Sequence, residues 1–232
     1  MIECGMEMYV MIGPITLMDE LYVHSARKIE KDIDEFMDAT KGEDELQIVL
    51  RAHLYIEYEI EKMLRNYFVE PKVFLDKNPS FNSKLNLVVA LGLLPKDKMN
   101  PFEKFNTLRN RYAHRLRFSI TDEKLDELAS SLDKELKRDF FDREWNKKKQ
   151  DKAENYKLLK LKWSLLALWV YVSKLVYDQS IGKFEKRRDE IEEMYNKAVD
   201  DEVKKAYVVE CTEMFNKLKK DLEITEESLL NL

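Results

Sequence analysis

The segment FNTLRNRYAH, residues 105–114, gathers the side chains in this chain best suited to chemistry. Lys104, Arg109, Arg111, Arg115 and Arg117 surround Asn110 and His114, and the window 104–117 contains no Asp or Glu. Its formal charge is +5 inside a chain whose net charge is -5. Guanidinium groups present a planar fork to phosphate oxygens, and an imidazole takes up or releases a proton near neutral pH. A face of that composition suits a phosphodiester. RNA carries its own nucleophile, the 2′-hydroxyl, so neither a metal nor a protein nucleophile is required. One histidine acts as base or as acid, and a two-fold dimer joining two copies of the face would supply both.

The elements that position these residues follow from their spacing. Asn100-Pro101 reads as a helix start, Asn as cap and Pro at the first helical position, and the helix runs to about Arg117. At about 100° per residue, Phe105, Leu108, Tyr112 and Leu116 form an apolar stripe with Phe102 at its edge. Asn110 and His114, four residues apart, fall together on the opposite side. Arg109 lies near the stripe's edge, about 140° from His114, with a stem long enough to swing its guanidinium toward the polar face. Tyr112, on the core side, is poorly placed for modification. His53, on the apolar stripe of another helix, reads as a core residue. Each arginine alone is most simply a solvated basic face; the cluster with Asn110 and His114 leaves a solvated face and a site equally open.

Around this motif the sequence predicts an all-α chain. Five glycines and five prolines in 232 residues are too few for a strand-and-turn protein, and four prolines (Pro71, Pro79, Pro95, Pro101) fall in one stretch. Thr16 is placed to cap a helix over residues 17–37. Gly42 breaks the chain, and Asp44 starts a second helix to about Phe68 that buries Leu46, Val49, His53, Ile56, Ile60, Met63 and Tyr67. Pro71 and Pro79 bracket a loop, and FNSKLNLVVALGLLP reads as a short buried helix ending near Gly92 and Pro95. Ser119 and Asp122 resemble a capping box for a helix over 121–137, and KRDFFDREWNKKKQDK reads as a charged connection. A long apolar helix follows from Tyr156 to Asp178, ended by Gly182; its Trp163, Trp169, Tyr171 and Tyr177 read as core or dimer contact rather than as a base-stacking platform. Residues 183–232 read as two charged helical stretches with sparse apolar residues, solvated or facing a partner. The expected domains are an N-terminal segment 1–16, a helical bundle 17–180 and a charged helical extension 181–232.

Composition narrows the function classes. A hydrophobic share of 44% supplies a packed core and argues against disorder. Cys4 and Cys211 sit at opposite ends with no metal or disulfide pattern, as expected for a reducing cytoplasm. The N-terminus has no basic leader and carries Glu3 and Glu7, so no signal peptide is expected. The most apolar run, WSLLALWVYVS, is shorter than the roughly 20 residues a membrane span needs, so no membrane association is expected. His24, His53 and His114 are far apart, with no Glu-x-x-His or Cys-x-x-Cys spacing, so neither a metal nor a cofactor is expected. No tight-turn helix pair followed by a basic recognition helix supports double-stranded DNA reading.

Arg109-Asn110-x-x-x-His114 resembles the R-x(4 to 6)-H motif of the HEPN superfamily, in which a polar residue, often Asn, follows the Arg. LRNRYAH, preceded by LRAHLYIEYEIEKML and FNSKLNLVVALGLL, is most similar to the mannitol-operon-repressor-like branch, over residues 44–120. The resemblance implies an α-helical bundle that dimerises through the motif-bearing helix. In active members it implies a metal-independent endoribonuclease leaving 2′,3′-cyclic phosphate ends, used as a toxin, in antiviral defence or in RNA processing. Arg109 would then stabilise charge on the phosphorane, His114 would be the general acid and base, and Asn110 would orient the site. Lys104, Arg111, Arg115 and Arg117 are assigned RNA-backbone contact on charge alone. This branch is named for transcriptional regulation and some HEPN domains only bind partners, so the alternative expectation is a non-catalytic regulator. Residues 183–232 lie outside the resemblance and would recruit a protein partner.

Overall fold

The computed structural model describes residues 15–41, 44–114, 118–137 and 156–222, and every regular element among them is helical. The helices are α1 (Ile15–Ala39), α2 (Glu45–Tyr67), the single-turn α3 (Lys72–Leu75), α4 (Phe81–Ala90), α5 (Met99–His114), α6 (Asp122–Ser131), the single-turn α7 (Lys134–Lys137), α8 (Tyr156–Lys197) and α9 (Asp201–Asp221). Gly42, Arg115, Leu116, Arg117, Cys4 and most of the expected charged connection lie outside the described residues. The chain divides into two compact units, residues 31–176 and residues 1–30 with 177–232.

The first unit carries the motif and is built on α2, α4 and α5. Asp44 starts α2 as expected: its carboxylate accepts from the Gln47 amide at 2.9 Å, and the Gln47 side chain reaches back to the Asp44 amide. Ile48, Val49, Ala52, Ile56, Ile60, Met63 and Leu64 form the buried face of α2. Leu46 and Tyr67, expected in that face, are instead 38% and 44% exposed. Phe81, Leu85 and Val88 of α4 and Phe102, Phe105, Leu108 and Tyr112 of α5 complete the seam. Phe36 of α1, Tyr55 of α2 and Trp169 of α8 interlock: Phe36 stacks on Trp169 at 5.9 Å, and Tyr55 meets both rings edge-on. Trp163, Trp169, Tyr171 and Tyr177 are all buried, as a core reading of the aromatic run requires.

Several ends differ from the sequence reading. Thr16 lies within α1, which includes Ile15, and so does not cap it. The segment between Pro71 and Pro79 contains the turn α3. Asn100 is not a cap, because a 3₁₀ turn over Lys96–Lys98 leads into α5 at Met99. Pro101 is then the third helical residue, where its missing N–H would have had no partner anyway. Thr121, not Ser119, caps α6 by accepting from the Lys124 amide, and Leu132 interrupts the expected 121–137 helix. Gly92 closes α4 at a φ of 72°, a conformation that favours glycine.

The second unit contains a helical hairpin. α8 does not end at Gly182; it continues without a break to Lys197. Asp200 caps α9 by accepting from the Glu202 and Val203 amides. Ile191 packs with Cys211, Phe184 meets Phe215 at 5.6 Å, and Arg187 binds Glu210 at 2.6 Å. From Phe184 to Ile191 the α8 number rises while its α9 partner falls from Phe215 to Cys211, so the two helices run antiparallel. The sparse apolar residues Met194, Tyr207, Val208 and Met214 pack on this same seam rather than facing solvent alone.

Candidate functional site

α5 presents the motif as its residue spacing dictates. Phe102, Phe105, Leu108 and Tyr112 are buried, whereas His114 in the last turn is exposed and Asn110 half-buried. His114 lines an open groove of about 620 Å³, walled by Leu46, Leu50, Tyr112 and Phe118 and edged by Asp44 and Glu45. An imidazole in such a groove is reachable from solvent and rests against apolar walls.

The wall beside His114 is fixed by Glu45, a residue the sequence analysis did not single out. Its Oε2 accepts from Tyr112 Oη at 2.6 Å, Ser119 Oγ at 2.9 Å and the Ile120 amide at 3.0 Å. Its Oε1 pairs with Lys157 Nζ at 2.9 Å. Burial alone would raise the Glu45 pKa, but the hydrogen bonds from Tyr112, Lys157, Ile120 and Ser119 outweigh it and hold the carboxyl below its ordinary value. Burial and the same carboxylate raise Tyr112 well above the ordinary phenol value. One carboxylate therefore ties the start of α2, the motif helix, residues 119–120 and α8 together. Only its place at the first turn of α2 was legible in sequence; its partners are 67 to 112 residues away.

Arg109 and Asn110 meet directly. Arg109 Nη1 donates to Asn110 Oδ1 at 3.1 Å, so the guanidinium tip is turned toward the residue that shares the polar face with His114. No described hydrogen bond or ion pair joins either residue to His114. A buried polar cluster joins α2 to α4. His53 is 4% exposed, and its Nδ1 lies 3.3 Å from Glu57 Oε2. Its ring packs on Phe81 and Phe105 at 5.0 and 6.0 Å. Lys84, also buried, binds Glu57 at 2.8 Å and Glu61 at 2.6 Å. Burial lowers the His53 pKa; Glu57 opposes that shift, and the positive charges of Arg109 and Lys84 add to it. His53 Nε2 and Arg109 Nε are both buried without a hydrogen-bond partner. His53 is thus a core histidine, as read, and the charge of the motif arginine acts on it.

Lys104 and Arg111 sit on another flank of α5. They line a smaller pocket of about 180 Å³ against α6, with Lys124 and Glu127 opposite and Leu108, Ile120 and Leu128 at its base. Arg115 and Arg117, the other expected RNA contacts, lie outside the described residues.

α2 carries a second apolar stripe away from the core. Leu46, Leu50, Leu54 and Tyr58, each four residues from the next, are 38%, 39%, 67% and 57% exposed. Leu46 and Leu50 also wall the His114 groove, so the stripe and the groove are continuous. Among the described residues no group of three or more His, Cys, Asp or Glu side chains is arranged to hold a metal ion, and no helix is long and apolar enough to cross a membrane. Compared with known proteins, the chain matches no family model, no curated protein and no solved structure.

Proposed function

We propose that this protein is a HEPN-type, metal-independent endoribonuclease that acts as a homodimer in the cytoplasm, in a defence, toxin or stress response. The observation that carries this reading is the exposed His114 in a solvent-open groove, on the same helix as a guanidinium turned toward Asn110. In the reaction, one His114 takes the proton of a ribose 2′-hydroxyl as its oxygen attacks the adjacent phosphorus. The His114 of the second copy protonates the departing 5′-oxygen, so the P–O5′ bond breaks and a 2′,3′-cyclic phosphate and a 5′-hydroxyl remain. Arg109 balances charge on the phosphorane, and Asn110 holds the guanidinium in place. The exposed stripe Leu46, Leu50, Leu54 and Tyr58, continuous with the groove, supplies apolar surface for the second copy.

That same stripe favours a second reading, a non-catalytic regulator in which the groove and stripe bind another protein and RNA is not cut. The two separate in one experiment. Purified protein is incubated with mixed single-stranded RNA in EDTA, beside Arg109→Ala, and the product ends are analysed. Cyclic phosphate ends from the wild type, lost in the variant, support the nuclease. No cleavage by a folded, dimeric wild type supports the regulator.

A further inference from the structure

The pocket between α5 and α6 has a charge arrangement that the chemistry at His114 does not use. Lys104 and Arg111 are seven residues apart, nearly aligned along α5, with Thr107 and Leu108 between them. Lys124 reaches in from the first turn of α6. The three cations line the same pocket as Glu127, and one of them, Lys124, binds its carboxylate. Lys124 Nζ binds both Glu127 oxygens, at 2.7 and 2.8 Å. Lys104 Nζ donates to the Glu127 carbonyl at 3.4 Å. Arg111 makes no hydrogen bond or ion pair among the described residues; the Lys124 hydrogen bonds, and after them the charges of Lys124, Lys104 and Arg111, hold the Glu127 carboxyl below its ordinary pKa. Glu103 at the rim is the second acid of the lining, so three cations face two carboxylates.

A surface of this kind is preset for an anion. Arg111 has its donors free of described protein acceptors, and the pocket is open to solvent. Pairs as exposed as Lys124 with Glu127 contribute little to folding, so their exchange for another anion costs the fold little. A backbone phosphate presents the same kind of oxygen as a carboxylate and accepts more donors.

We propose that Lys104, Arg111 and Lys124 form a subsite for a backbone phosphate of single-stranded RNA, and that Glu127 is its built-in competitor, occupying the subsite until the strand displaces it. This rests on the reading of RNA as the substrate and adds where the strand runs: from the His114 end of α5 back along its flank toward Lys104. It adds Lys124 and Glu127 to the residues that set RNA affinity, with opposite signs.

The test is binding of a fluorescently labelled single-stranded RNA, followed by anisotropy in EDTA at about 0.1 M salt, with every variant made on His114→Ala so that no strand is cut. Release of counterions from one single-strand phosphate contact is worth about fivefold at that salt. Lys104→Ala, Arg111→Ala and Lys124→Ala should each weaken binding by about that factor, and each should reduce the salt slope by about 0.7. Glu127→Gln should tighten binding several-fold, a sign that a general loss of structure would not produce. The proposal is overturned if Glu127→Gln binds equally or more weakly, if the three cation variants bind like their parent, or if the parent binds no RNA. Cleavage is scored separately on protein with His114 intact. A protein that binds with these signs but never cuts keeps the subsite and loses the nuclease; one that cuts with no such dependence does the reverse.

Discussion

Two histidines on packed helices, α2 and α5, show how the same side chain is given different work. His53 of α2 is 4% exposed, packed on Phe81 and Phe105 and facing Glu57. His114 of α5 is exposed at the edge of a groove and free of described hydrogen bonds and ion pairs. Buried, an imidazole is kept neutral and its ring acts as packing. In an open groove it is reachable by a substrate whose proton it can move. Arg109 lies between these regimes, its Nε buried without a hydrogen-bond partner and its Nη1 on Asn110. The comparison therefore predicts that changes at His53 act on stability and changes at His114 act on chemistry.

The largest effect on folding should come from His53→Ala. It removes a ring packed against two aromatics and should cost about 2–4 kcal/mol in urea unfolding. An equally stable variant would mean that the buried cluster is not structural. Glu45→Gln should come next. Weakening hydrogen bonds to a charged acceptor costs about 1–3 kcal/mol, seen as a lower Tm and faster hydrogen exchange at the Ile120 amide. An unchanged Ile120 amide would show that the groove wall is held by something other than Glu45.

The pH dependence is smaller and has a definite sign. The folded His53 pKa lies below its ordinary value of 6.5, so the unfolded chain binds the proton first. The stabilisation is fully present above about pH 6.5 and is lost as pH falls from there toward the folded value. His24 is shifted the same way, chiefly by burial. His53→Gln should therefore flatten, not abolish, the fall in Tm between pH 7 and 5.5; a slope identical to wild type would refute the assignment. The smallest effect is Gly182→Ala. Gly182 lies inside α8, and an added Cβ meets nothing within 4 Å, so the variant should gain about 0.5–1 kcal/mol.

The all-α class, the capping of α2 by Asp44 and the buried stripe of α5 were legible because each depends on residues within a few positions of one another. So was the contrast between His53 and His114, which the helical wheel alone separates. Gly182 misled because one mid-helix glycine costs only about 1 kcal/mol, less than the burial of Ile181 and Phe184 beside it returns. Asn100-Pro101 misled because the 3₁₀ turn before it already starts the helix. Glu45 and Lys84 were missed for a different reason. Their bonds to Ser119, Lys157, Glu57 and Glu61 join residues 23 to 112 positions apart, and no local pattern marks such partners. Charge alone marks Lys104 and Arg111 in the sequence; their pocket exists because α6 sets Lys124 and Glu127 opposite them.

The most direct test sets His114→Ala beside His53→Gln, measuring RNA cleavage in EDTA and thermal unfolding on the same preparations. The account predicts that His114→Ala melts like wild type and loses cleavage by about a thousandfold, while His53→Gln melts earlier and still cuts below its Tm. Full cleavage by a folded His114→Ala would contradict it.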